Sequence, residues 1–83
     1  MKELLRHILS ESVRLQVPIT TLDDDADLYA AGLESIATVH LMLAIEENFD
    51  IEIPDELITR QLFSSIDSMA DAIAGLQEQK MTP

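Results

Sequence analysis

The chain has no cysteine and no tryptophan, only two glycines and three prolines, and five basic residues against 16 acidic ones. Without cysteine there are no disulfides, no thiolate metal site and no thiol nucleophile of the protein's own. Any thioester chemistry must use a sulfur brought in from outside. So few glycines and prolines favour regular structure over loops. The shortage of Lys and Arg argues against nucleic acid, because phosphate binding needs a basic patch. No apolar run is long enough to span a membrane, and Met1-Lys2-Glu3 lacks the apolar run of a signal peptide. A cytoplasmic protein that does not insert into membranes is therefore expected.

What is present fits one small domain, residues 1–83, with a modest core. The formal net charge is −11. No Lys or Arg occurs between Arg14 and Arg60, while Asp23, Asp24, Asp25, Asp27, Glu34, Glu46 and Glu47 all fall there. Such a surface steers towards basic protein surfaces. It is also what a merely soluble acidic exterior looks like.

Apolar spacing predicts an all-α fold, a small four-helix bundle with a long loop between helices one and two and a short third helix. The first helix is expected at about 2–16, with Leu5, Ile8, Leu9, Ser12 and Gln16 near one face, and Leu4, Val13 and Leu15 widening it. Pro18 ends it. The loop, 19–34, carries the aspartates, and Leu22, Leu28 and Leu33 are expected to anchor it. The second helix is expected at 35–48. Ile51-Glu52-Ile53 is extended because the residue before Pro54 avoids helical geometry. A short third helix is expected at 55–61 and a fourth at 65–77, with Ser64-Ser65-Ile66-Asp67 supplying a cap. Residues 78–83 read as a frayed tail.

Ser35 stands where the acidic loop meets the second helix. One reading is an N-cap, its hydroxyl accepting a bond from a first-turn N–H. The other is a serine displayed so that an enzyme can attach a phosphate-linked group. At about 100° per residue, Thr38, Leu41, Met42, Ile45 and Phe49 share one side of this helix. Ile36, Val39, His40, Leu43 and Glu47 share the other. A surface helix needs one apolar stripe. The second stripe packs under the same chain or awaits a partner, and the small size of the chain favours the partner.

Other chemistries fit less well. Asp23, Asp25, Asp27 and Glu34 match positions of a calcium loop, but Leu28 stands where the loop needs glycine. A serine hydrolase using Ser35 with His40 or His7 lacks the Gly-x-Ser-x-Gly elbow, and so small a bundle has little room for a pocket. No catalytic residue and no metal site is therefore expected. An acidic adaptor without a prosthetic group shares every feature except modification of Ser35.

Several segments together resemble the acyl carrier protein superfamily, the phosphopantetheine-bearing carriers. They are Asp27-Leu28, Gly32-Leu33-Glu34-Ser35-Ile36, Glu46-Glu47-Asn48-Phe49-Asp50-Ile51-Glu52-Ile53-Pro54 and Phe63-Ser64-Ser65-Ile66-Asp67-Ser68-Met69. The resemblance implies that Ser35 is the attachment site for 4′-phosphopantetheine, moved from coenzyme A by a phosphopantetheinyl transferase. The arm's thiol would hold an acyl or aminoacyl group as a thioester. The partners implied are that transferase, an acyl- or aminoacyl-loading ligase and a downstream transferase, meeting a monomeric carrier. The implied docking residues are Glu34, Ile36, Val39, His40, Leu43, Glu46 and Glu47. Ala37 and His40 stand where fatty-acid carriers are usually acidic, and the run from Thr38 to Glu46 looks more like D-alanyl and aminoacyl carriers. An amino acid or small acyl cargo is expected, with a fatty-acid or polyketide carrier as the alternative.

Overall fold

Three α-helices form where apolar residues recur at helical spacing: α1 (Lys2–Ser12), α2 (Ser35–Phe49) and α3 (Ile66–Met81). The computed structural model describes residues 1–81, and side chains as far as Glu78. No strand occurs among the described residues, and no helix there is long and apolar enough to cross a membrane. α1 packs against both α2 and α3. Their shared core is built on Leu5, Ile8 and Leu9 of α1, Leu41 and Ile45 of α2, and Ile66, Met69 and Ile73 of α3.

The first helix stops four residues before the expected end at 16. Val13 is extended (φ −134°, ψ 155°), and its N–H closes the helix on the Leu9 carbonyl. From there burial alternates: Val13 in, Arg14 out, Leu15 half-buried, Gln16 out. The apolar residues that widen the helical stripe in the sequence therefore belong to an extended segment of period two. Its direction is fixed by the Gln16 N–H, which donates to the Ala31 carbonyl at 2.8 Å.

The long loop is tied down along its length. Leu28 and Leu33 are buried and Leu22 is half-buried, as anchors should be. The Leu28 N–H donates to the Ser64 carbonyl (2.8 Å), and the Asp67 N–H to the Asp24 carbonyl (2.9 Å). Those two bonds join the loop to the start of α3. Arg6 adds a 2.7 Å pair to the Asp24 carboxylate, and Lys2 a 2.7 Å pair to Asp67.

The expected four-helix count is not realised. In place of a helix over 55–61 there is a single 3-10 turn, Asp55–Leu57, followed by a second turn. The chain leaves helical geometry at Ile58 (φ −80°, ψ 85°), just before Thr59. The Thr59 hydroxyl and carbonyl both accept from the Leu62 N–H, a local bond that competes with helix propagation. Another 3-10 turn, Ile19–Thr21, follows Pro18. The last helix is longer than expected. It starts at Ile66 with Ser65 as its cap, the Ser65 hydroxyl accepting from the Ser68 N–H at 3.0 Å. It runs on through Glu78 to Met81, where good helix formers continue without Gly or Pro. Thr82 and Pro83, the rest of the expected tail, lie outside the described residues.

Candidate functional site: the head of α2

Gly32 sets the approach to α2. Its φ of +109° suits glycine, and a Cβ there would meet Gln16 Cγ at 2.9 Å. The chain then runs through buried Leu33 to Glu34, which is extended and serves as the N-cap without any side-chain capping bond. Ser35 is thus the first helical residue, one position past the cap. It is exposed, and its hydroxyl has no hydrogen-bond partner among the described residues. The N-cap reading of Ser35 is not realised.

The head of α2 suits a bound phosphodiester. The first N–H groups of a helix have no intrahelical acceptor, and the dipole there is positive. No acidic side chain lies in the first turn to occupy that field. The serine Cβ tilts towards the helix start, which aims Oγ away from the body of α2. The residues present therefore fit a phosphate-linked group on an exposed hydroxyl.

The two sides of α2 separate sharply. Leu41 and Ile45 are buried, and Thr38, Met42 and Phe49 are half-buried against the core. On the other side Ile36, Val39 and Leu43 are 72%, 53% and 54% exposed, too open for core positions. His40, Glu34 and Glu47 are exposed with them. Glu46 differs. It is half-buried, and its Oε2 accepts the Ile53 N–H at 2.8 Å, holding the extended segment after α2. That structural role was not evident from its place in an acidic run.

A groove of about 230 Å3 adjoins Ser35, lined by Tyr29, Thr38, Ile58, Thr59, Arg60 and Phe63. Sequence reasoning did not find it, because it joins residues far apart in the chain. A larger groove of about 430 Å3 lies away from Ser35, where the end of α1 meets the segment through Pro18. The apolar cavity enclosed by Ile45, Ile53, Leu62, Met69, Ala72, Ile73 and Leu76 holds only about 10 Å3.

Neither histidine bonds to Ser35: the His40 imidazole makes no hydrogen bond among the described residues, and His7 Nε2 lies 2.9 Å from Glu11 on α1. Asp23, Asp25, Asp27 and Glu34 do not gather into a cation site among the described residues. Asp27 instead accepts the Tyr29 N–H at 3.0 Å, a turn within the loop.

The chain is similar to known proteins over most of its length. The model of the phosphopantetheine attachment site family matches residues 3–73. An aminoacyl carrier protein of Agrobacterium fabrum (strain C58) is 51% identical over 73 residues, 88% of either chain. An acyl carrier protein of Akkermansia muciniphila is 32% identical over 78 residues, covering 94% of this chain and 90% of that protein. Among solved structures, one match is a crystal structure of an engineered Bradyrhizobium japonicum glycine:carrier-protein ligase complexed with a carrier protein from Agrobacterium tumefaciens and AMP. Its matching chain gives a TM-score of 0.86 at 50% identity, over 89% of this chain and 99% of that one. The protein is a carrier with covalently bound 4′-phosphopantetheine, and the chain belongs to the acyl carrier protein superfamily.

Proposed function

We propose that Ser35 is the residue that bears the arm, and that this carrier presents an amino acid to partner enzymes. The observation that carries the reading is the exposed, unbonded hydroxyl of Ser35 at the head of an apolar face. In the transfer, Ser35 Oγ attacks the phosphorus of coenzyme A that bears pantetheine. An O–P bond forms, the pyrophosphate bond breaks, adenosine 3′,5′-bisphosphate leaves and the hydroxyl proton is lost to the transferase. Once attached, the arm's thiol supplies the sulfur for a thioester that this cysteine-free chain lacks.

Ile36, Val39 and Leu43 form the docking surface for the transferase and a loading ligase. Glu34, His40 and Glu47 stand around them as its polar surround, while Glu46 is held by the Ile53 N–H. An amino-acid cargo is supported by the aminoacyl carrier protein at 51% identity and by the structural relative held by a glycine ligase. The apolar cavity beside Ile45, Met69 and Ile73 is small, about 10 Å3. The carrier acts as a monomer in the cytoplasm, with a downstream transferase as its last partner.

The test is intact mass after incubation with coenzyme A and a broad-specificity phosphopantetheinyl transferase. Wild type gains one arm and Ser35→Ala none. Competition between an ATP-dependent glycine ligase and a malonyl transferase on the loaded carrier then reads the cargo. Efficient malonylation without aminoacylation would overturn the amino-acid assignment alone.

A further inference from the structure

Arg60, like Arg14, has no carboxylate partner among the described residues, but it is held against an aromatic ring. Lys2 and Arg6 are both committed to carboxylates. Arg60 pairs with no carboxylate among the described residues, and its guanidinium forms no hydrogen bond there. It lies instead over the ring of Tyr29, 3.9 Å from the centroid. Stacking uses the flat face of a guanidinium and leaves its in-plane N–H donors free. The ring thus holds a planar fork of donors in place without occupying it, and less side-chain freedom remains to be lost on binding. Arg60 and Tyr29 line the same groove as Ser35, with Thr38 and Thr59 as further polar groups and Ile58 and Phe63 as an apolar wall.

We propose that the Arg60–Tyr29 stack is the resting seat for the phosphodiester on Ser35, laying the arm along this groove when no enzyme is docked. The inference rests on Ser35 being the attachment residue. A phosphodiester has two non-bridging oxygens that share one negative charge, and the guanidinium edge is their bidentate partner. The helix start supplies N–H groups on one side, and Arg60 supplies the counter-charge on the other. In a chain of net charge −11, a phosphate would otherwise be repelled by its surroundings. A docking enzyme with a basic surface competes with Arg60 for the same phosphate and so releases the arm.

The experiment compares 15N-labelled apo and arm-bearing protein, after intact mass has shown that the arm is present. In wild type, the apo-to-holo shift changes extend beyond the neighbours of Ser35 to the amides of Tyr29, Thr59 and Arg60. They fade in 1 M salt, where the screening length is about 3 Å. Arg60→Gln confines the changes to the neighbours of Ser35 and moves the 31P resonance to that of a free phosphodiester. Tyr29→Phe, which keeps the ring, retains the wild-type pattern. A purely structural role for Arg60 would alter apo and holo spectra alike and leave their difference intact. An armed wild type with no changes at residues 58–63, or changes that survive high salt and Arg60→Gln, would overturn the seat and leave the attachment at Ser35 standing. A wild type that takes no arm overturns both, and mass alone reports it.

Discussion

Gly32 and Ser35 do different work three positions apart. Gly32 allows the loop to pass close against Gln16 and enter α2. Ser35 contributes nothing visible to that packing. Its hydroxyl is unbonded, and the cap position belongs to Glu34. Gly32→Ala should therefore cost on the order of 1–3 kcal/mol, read from urea unfolding, because a side chain is forced into a disfavoured φ against a close neighbour. Ser35→Ala should change stability by no more than about 0.5 kcal/mol while abolishing attachment. Loss of a true N-cap would cost roughly 0.5–2 kcal/mol, so a larger drop would return Ser35 to the capping role. The place of Ser35 at a helix start was legible from the sequence because a loop-to-helix junction has a local signature. Glu46 and Arg60 were not. The first bonds a backbone N–H seven residues on, and the second stacks on a ring from the long loop.

At the scale of elements, α2 has two apolar sides with different fates. Leu41→Ala or Ile45→Ala should cost roughly 2–5 kcal/mol, since both side chains are fully enclosed. Val39→Asp or Leu43→Asp should leave the thermal midpoint nearly unchanged and raise the KM of the transferase or ligase for the carrier. If the two pairs exchange behaviour, the docking face has been misassigned. The two faces of α2 were readable because helical periodicity is a local property. The ends of the other helices were less so. Val13 and Leu15 satisfy a helical stripe and an extended alternation equally well, and the choice is made by the remote Gln16–Ala31 bond. Ile58 and Thr59 sit in a segment with helical spacing, yet the backbone turns out of the helix at Ile58 and the Thr59 N–H bonds back to the Leu57 carbonyl. In both places the deciding bond is invisible to periodicity.

Across the whole molecule, two of the positive charges stand where separate pieces of chain meet. Lys2 and Arg6 of α1 reach Asp24 in the long loop, and Lys2 also reaches Asp67 in the first turn of α3. The Arg6 hydrogen bond, aided by the charge of Lys2, holds the Asp24 carboxyl below its usual range, against a smaller opposing effect of burial. The Asp67 hydrogen bond raises the Lys2 ammonium above its usual range. A lowered carboxyl stabilises the fold above the unfolded value of 3.8 and loses that contribution as pH falls through its folded value. A raised ammonium stabilises below the unfolded value of 10.5 and loses its contribution as pH rises through the folded one. The total stability curve mixes these effects with another of opposite sign in acid. Protonating the remaining carboxylates relieves the self-repulsion of a chain at −11. The clean quantity is therefore the difference between wild type and Asp24→Asn. That substitution keeps the Asp24 carbonyl, which holds the Asp67 N–H, and removes only the charge. The variant should be less stable than wild type at pH 7, and the gap should close progressively below pH 3.8. These pairs are partly exposed, so 1 M salt should also shrink the gap, the screening length there being about 3 Å. Urea unfolding of both proteins from pH 7 to pH 3, at low and high salt, measures it. A gap that persists unchanged at pH 3 would mean that Asp24 acts through its shape and hydrogen bonding, with its charge contributing nothing.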